Sequence, residues 1–347
     1  MAAKLSIVMP VFNHPEKLKT MLDSILANTY HDWELLAVDD GSEQDTISTL
    51  EQYTQKDSRI RFIKREHLPK GAQTCRNIGQ EQANGEYIVF FDSDDYVAPY
   101  CLEQRVREME KHPNLDFMVF CNGLYSNEEF HEGVATGCFG DPIYADDVEA
   151  FCARTLPYIV WNNIYRTEAL RRSGISWDET LLSLQDGDFN LQTLLADLHY
   201  DYAQTMPDYG YRIAGSGDSI SKRITSDAHI YSHLYSVEKN YRTVQNKFGN
   251  KYNNALFQGV LFIYLMTFAN KKQYGHALKM ADIICRYSPG YGRLFLFKIK
   301  THHFLRHLCS DALAKKITMA DFMLWRRWQI WRDTYRRKKC RSRHASS

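Results

Sequence analysis

The sequence predicts an α/β protein with a mostly parallel central sheet, followed by a helical C-terminal region. Over the first hundred or so residues, short apolar runs alternate with amphipathic stretches, the signature of βαβ units. Beyond about residue 226, Tyr, Phe and Leu recur at three- and four-residue spacing, as long helices require. The polar residues of the first region cluster where the apolar runs end, and in open α/β sheets ligands bind at that edge.

Strands are expected near Leu5–Val11, Trp33–Val38, Ile60–Lys64 and Tyr87–Phe91. Helices are expected near Pro15–Ala27, Gln44–Gln55 and Ala72–Ala83. Asn13 opens the first of these, with Pro15 in its first turn, and Asn84-Gly85 closes the third. A second block, about residues 115–225, mixes strands and helices less regularly, and Gly215-Ser216-Gly217 is the expected loop near its end.

A length of 347 residues allows one large α/β domain with an appendage, or two domains of ordinary size. A 44% hydrophobic and 24% charged composition is that of a globular chain. The net charge of +1 gives no global attraction to polyanions, so no nucleic-acid partner is expected. The eight cysteines are scattered, without a CxxC pair or zinc-type spacing, and read as reduced, mostly buried thiols. The start runs from Met-Ala-Ala-Lys into an apolar stretch too short for a signal peptide. No stretch approaches the roughly 18 apolar residues of a membrane span, so a cytoplasmic protein, soluble or peripheral on the inner membrane face, is expected.

Phe90-Phe91-Asp92-Ser93-Asp94-Asp95 is an apolar strand ending in three carboxylates. Carboxylates two apart at a strand end can converge on Mg2+ or Mn2+, whose shell is completed by substrate phosphates and water; a solvated acidic turn would carry the same residues. Val38-Asp39-Asp40-Gly41-Ser42 ends another strand on the same edge and adds a second acidic pair. One Asp there could cap the next helix, but that explains one carboxylate and not two. A carboxylate at this place can accept from the N3–H of a uracil ring, and Phe12 can offer it a stacking face.

These segments together resemble family 2 glycosyltransferases of the GT-A fold. Ile7-Val8-Met9-Pro10-Val11-Phe12-Asn13 resembles the family's opening strand and Val38 to Ser42 its nucleoside loop. Cys75-Arg76-Asn77-Ile78-Gly79, then Ala83 to Ile88, resembles the Arg-Asn-x-Gly helix that leads into the family's DxD strand. The resemblance implies a GT-A nucleotide-sugar-binding domain over 1–225, with a nucleotide-binding half at 1–114 and an acceptor half at 115–225, and a helical region with a basic tail at 226–347. It implies that Pro10, Phe12, Asn13, Asp39, Asp40 and Ser93 line the donor site, with Arg76 on the base or phosphates, Asp92 at the ribose, and Asp94, with Asp92, on Mn2+ or Mg2+. Taken alone, Arg76 would also serve as a surface helix arginine. Family members usually have Tyr where this chain has Phe12, which keeps stacking and loses a hydroxyl contact.

In the acceptor half, Leu184-Gln185-Asp186-Gly187-Asp188 resembles the family's catalytic-base element. Inverting displacement needs a carboxylate to take the acceptor proton, and Asp186 is the first choice, Asp188 the second; either could instead cap a helix. Tyr211-Arg212-Ile213 and Ser219-Ile220-Ser221 resemble a loop closing over the donor, with Arg212 either on the diphosphate or in an ordinary ion pair. The implied reaction is metal-dependent, inverting hexosyl transfer from a nucleoside diphosphate sugar, a UDP-sugar first among them, to a glycan or lipid-linked acceptor in polysaccharide synthesis.

Trp325, Trp328 and Trp331 lie among the arginines and lysines of residues 325–343. A helix of that kind can lie on an anionic membrane, or its Trp face can pack inward and leave a solvated basic tail. A dinucleotide dehydrogenase is excluded because no GxGxxG follows the first strand. A phosphatase with a nucleophilic Asp leaves Asp39-Asp40 and Arg76-Asn77 unexplained. A non-catalytic nucleotide-sugar module would have had no need to keep the acidic residues.

Overall fold

In the computed structural model, residues 3–133, 137–212, 226–269 and 273–344 are described. The chain forms β1 (Leu5–Val11), α1 (Pro15–Leu26), β2 (Trp33–Asp39), α2 (Gln44–Lys56), β3 (Ile60–Lys64), α3 (Ala72–Gln82), β4 (Tyr87–Phe90), β5 (Tyr96–Val97) and α4 (Cys101–Lys111). The second block adds β6 (Phe117–Val119), β7 (Asn122–Ser126), β8 (Glu129–His131), α5 (Asp147–Cys152), β9 (Asn163–Arg166), α6 (Thr167–Ser173), α7 (Gln185–Leu195), β10 (Tyr200–Tyr202) and β11 (Tyr209–Arg212). The helical end comprises α8 (Asp227–Phe248), α9 (Asn253–Ile263), α10 (Tyr274–Tyr287), α11 (Pro289–Leu308), α12 (Asp311–Thr318) and α13 (Ala320–His344).

The main sheet has the order β10-β6-β9-β4-β1-β2-β3. β9 is antiparallel to both neighbours, and the other pairings are parallel. A smaller sheet, β5-β11-β7-β8, stands beside it. The strands are near-continuous apolar runs because both faces are covered. Ile7, Met9 and Val11 of β1 enter one core with α1 and α4, while Val8 enters the other with α7 to α11. Phe90 joins Val8, and Val89 joins Met9, so the two-residue period sorts side chains between two cores. The second core runs without a break from the sheet through Phe189 to Tyr241, Phe295 and Phe322 in the helical end.

Local signals differ from expectation at two helix ends. Asn13 does not cap α1; the residue before the helix is His14, and both adopt left-handed backbone, with φ 57° and 58°. The Asn13 side chain instead accepts from the Glu43 N–H at 2.9 Å, and its own N–H donates to Ser42 Oγ at 2.9 Å, tying the loop after β1 to the loop after β2. α3 ends at Gln82, before Asn84-Gly85. All eight cysteines are unpaired thiols. Among the described residues no helix is long and apolar enough to cross a membrane.

Candidate active site

The loops after β1, β2 and β4 meet the first turn of α7. β1 and β4 pair only as far as Val8 and Phe90, then diverge and open a crevice where the strand order reverses. Pro10 is buried in β1 at that opening, opposite Val38. Phe12 follows, 40% exposed, with the Lys70 ammonium seated over one face of its ring, 3.7 Å from the ring centre.

The two aspartates after β2 are used differently. The Asp39 carboxylate accepts from the N–H groups of Gly41 and Ser42 at 3.0 and 3.1 Å, and Gly41 makes the turn possible with φ 86°. A carboxylate has about four acceptor sites, so capacity remains for a ligand. Asp40 Oδ1 accepts from Arg65 Nε at 2.7 Å and the Gly71 N–H at 3.0 Å. Expected on the donor, Asp40 in fact ties β2 to the residues after β3 and the start of α3.

α3 lies hard against β1: a Cβ at Gly79 would stand 2.4 Å from Val8 Cγ1. That approach carries Arg76, almost one turn earlier, into the crevice, where it is buried rather than on the surface. Its Nη2 donates to Asp92 Oδ1 at 2.6 Å, its Nη1 lies 3.4 Å from Gln185 Oε1 and 3.9 Å from Asp186 Oδ1, and its guanidinium stacks 4.4 Å over Trp177. Burial works to lower its pKa, but Asp92 and Asp186 hold it above the usual arginine value.

The acidic turn is stitched to β11. The Asp92 N–H donates to the Tyr209 hydroxyl at 3.1 Å, which donates to Asp95 Oδ2 at 2.8 Å; Asp95 Oδ1 accepts from the Arg212 N–H at 2.7 Å. Arg212 Nε donates to the Asp94 carbonyl at 2.7 Å, and its guanidinium lies 4.7 Å over Tyr125, beside the turn that also holds Ser93. Burial, then the charges of Asp94 and Asp92, push Asp95 well above the usual carboxylate range. Burial and Asp92 raise Asp94 as well, with Lys17 and Arg212 offsetting this only in part. Tyr209 stands on a wholly buried floor: the Arg105–Asp208 ion pair, 2.7 Å long, in which both side chains have 0% exposure.

Asp186 is the second residue of α7, so it is not the helix cap; that place belongs to Leu184, strained at φ 65°. Its side chain keeps 37% of its surface, yet Oδ1 is sealed from solvent with no hydrogen-bond partner. Burial raises its pKa, Asp92 adds to this, and Arg76 opposes it. Asp188 is taken up elsewhere: its Oδ2 accepts from Gln192 at 2.7 Å and from Lys239 of α8 at 2.8 Å. Ile213 and the Gly215–Gly217 and Ser219–Ser221 segments lie outside the described residues.

Sequence reasoning missed Gln73, whose Oε1 accepts from Gln185 Nε2 at 2.7 Å, and Tyr209, which joins Asp92 to Asp95. Neither carried a local signal: a helix glutamine and a strand tyrosine are ordinary until their partners are known. The three C-terminal tryptophans do not share one face. Trp325 packs beside Phe322, while Trp328 and Trp331 are exposed. The basic run is not a solvated tail: Arg341 binds Asp141 at 3.0 Å and the Asn122 carbonyl at 2.9 Å, and Arg336 binds the Ile143 carbonyl at 2.8 Å.

A crevice at the reversal of a parallel sheet, rimmed by carboxylates and arginines and facing a carboxylate on a separate helix, defines a GT-A-type nucleotide-sugar fold. Residues 6–172 match the model for Glycosyl transferase family 2. It is 29% identical over 192 residues to EpsJ of Bacillus subtilis (strain 168), described as an uncharacterised glycosyltransferase, covering 54% of this chain and 55% of that protein. It is 26% identical over 241 residues to the poly(ribitol-phosphate) β-N-acetylglucosaminyltransferase TarS of Staphylococcus aureus (strain Mu50), covering 68% of this chain and 40% of TarS. The chain thus spans about half the length of these relatives, or less. The crystal structure of S. aureus TarS 1–349 with UDP-GlcNAc superposes with a TM-score of 0.67 at 18% identity, covering 92% of each chain.

Proposed function

We propose that this chain transfers a hexosyl group, with inversion, from a nucleoside diphosphate sugar to an acceptor hydroxyl. The observation that carries this reading is Arg76, which binds Asp92 of the acidic turn and reaches Asp186 of α7, joining donor and acceptor sides. The UDP-GlcNAc bound to TarS supports a UDP-sugar as donor. Phe12 stacks on the base, Asp39 accepts from it, and Arg212 meets the diphosphate. The acceptor hydroxyl attacks the anomeric carbon and gives its proton to Asp186 while the bond from that carbon to the diphosphate oxygen breaks. The products are the glycoside, the nucleoside diphosphate and the protonated carboxyl, and the raised pKa of Asp186 makes it a better proton acceptor than an ordinary carboxylate.

The acidic turn fits a divalent cation. Burial and Asp92 disfavour the ionised form of Asp94, which a bound cation would stabilise, while Asp92 is already engaged by Arg76. Mn2+ or Mg2+ would be held there by the Asp94 carboxylate together with the donor phosphates. Bound there, the ion would offset charge on the departing diphosphate. The reading is tested by thermal shifts with UDP-, GDP- and dTDP-sugars with and without Mn2+. Stabilisation by a UDP-sugar that needs Mn2+ and is lost in Asp94→Ala is expected; no shift with any donor overturns it.

A peripheral membrane contact through α13 is the second part of the reading. Leu324, Trp328, Trp331 and Tyr335 are exposed at spacings of four, three and four, one apolar stripe, with exposed Arg327, Lys338 and Lys339 beside it. Trp331→Glu should weaken binding to vesicles containing phosphatidylglycerol and leave donor hydrolysis unchanged; equal vesicle binding removes this contact.

A further inference from the structure

A cavity of about 250 Å3 opens beside Asp186, between the start of α7 and the helical end. Its walls are mostly apolar: Leu182 and Leu184 on one side, Phe262, Ile263 and Met266 on the other, with His233 at its base. The two sides are more than seventy residues apart in sequence and belong to the enzyme half and the helical end respectively.

Three features separate it from a packing defect. First, α9 does not end cleanly; Tyr264–Phe268 continues it as a π-helical turn, a form that is rare and frequent at functional sites. Secondly, Met266, on that turn, is 55% exposed at the cavity, and methionine is the side chain that best adapts to varied apolar ligands. Thirdly, Asp186 is a lining residue whose side chain keeps 37% of its surface and whose Oδ1 has Arg76 at 3.9 Å but no hydrogen bond, so a partly exposed carboxylate stands where the apolar walls meet the crevice.

The polar lining is neutral apart from Asp186. Ser183 Oγ lies 2.7 Å from His233 Nε2, and Thr267 Oγ1 lies 3.0 Å from its Nδ1, so both ring nitrogens are engaged inside the protein. Burial, with the charge of Arg154, lowers His233 to about 4, which leaves the ring uncharged at neutral pH. No lysine or arginine lines the cavity. An anionic group would therefore find no counter-charge there, and would face the Asp186 carboxylate.

We propose that this cavity is the subsite for an uncharged apolar portion of the acceptor, attached next to the hydroxyl that Asp186 deprotonates. The proposal rests on the glycosyl-transfer reading above and narrows its acceptor to a molecule with an apolar, uncharged group close to the reacting hydroxyl. An alkyl or aryl group seated against Met266 and Ile263 positions that hydroxyl at the exposed side of the Asp186 carboxylate. The helical end thereby becomes part of the acceptor site.

The test uses the full chain labelled at methionine methyl groups with 13C, with the Met266 signal assigned by its loss in Met266→Leu. Octyl β-glucoside, below its micelle concentration, should shift the Met266 signal saturably. Methyl β-glucoside should bind roughly tenfold or more weakly, since burying two methylenes alone is worth about that factor. Octyl phosphate should also bind more weakly than the glucoside. Met266→Trp, which fills the cavity from a half-exposed position, and Met266→Glu, which keeps a flexible chain but adds charge, should each weaken octyl glucoside binding by a similar factor, read by competition against the labelled wild type. Equal binding of methyl and octyl glucosides, tighter binding of octyl phosphate, or unchanged octyl affinity in both variants overturns the proposal. UDP added to the same samples separates the two readings: UDP binding without octyl binding sinks the cavity alone, and octyl binding without UDP binding sinks the glycosyl-transfer reading.

Discussion

The donor side and the acceptor side of the crevice meet at Arg76 but are built on different principles. On the donor side, short loops fix themselves through polar bonds to backbone: Asp39 holds Gly41 and Ser42, Asn13 holds Glu43, and Asp40 holds Gly71. On the acceptor side, the first turn of α7 is held by partners about a hundred residues away, such as Gln73 and Arg76, and is backed by apolar walls from α9. On the function and acceptor subsite proposed above, the difference matches the two ligands. A charged, hydrogen-bonding donor calls for preset polar loops, whereas an acceptor recognised by burial needs a shape that only the assembled fold supplies.

The sharpest way to break this comparison is Asp186→Asn. If Asp186 is the base, transfer falls by roughly 10²–10⁴-fold while donor affinity and melting temperature change little; near-normal transfer would reassign the acceptor side. The wild-type rate should also fall as pH drops through the raised Asp186 pKa, because only the ionised form accepts a proton, and this limb should lie above the ordinary carboxylate range. A limb unmoved in Asp186→Asn, measured on the residual activity, would assign the titration to another group.

Next in size is the floor beneath Tyr209. Asp208→Ala leaves Arg105 buried without its partner and should cost about 3–5 kcal/mol of stability, read by denaturant midpoint. A cost under about 1 kcal/mol would mean that the acidic turn does not depend on this floor. The smallest expected effect is Asn13→Ala, which loses one backbone hydrogen bond and places alanine in a left-handed conformation, for roughly 1–2 kcal/mol. Donor binding should weaken alongside stability, since the loops after β1 and β2 lose their link. Weakened stability with donor affinity intact would show that the donor loops are held from elsewhere.

The sequence by itself determined the first four strands to within a residue and the three helices between them nearly as closely, because period and loop chemistry are local properties. It also marked the acidic turn and the Asp39 loop, since abrupt charge after an apolar run needs no knowledge of partners. Contact decided the rest. That Asp40 turns to Arg65, that Asp188 is spent on Lys239, and that Arg76 is buried between Asp92 and Asp186 depend on which distant residues the fold brings near. The same holds for α13, whose basic residues read as a tail until Arg341 met Asp141 two hundred positions back. Hydrophobic periodicity records which face of an element is buried, not what lies against it, and the cavity beside Asp186 exists only because α7 and α9 face each other.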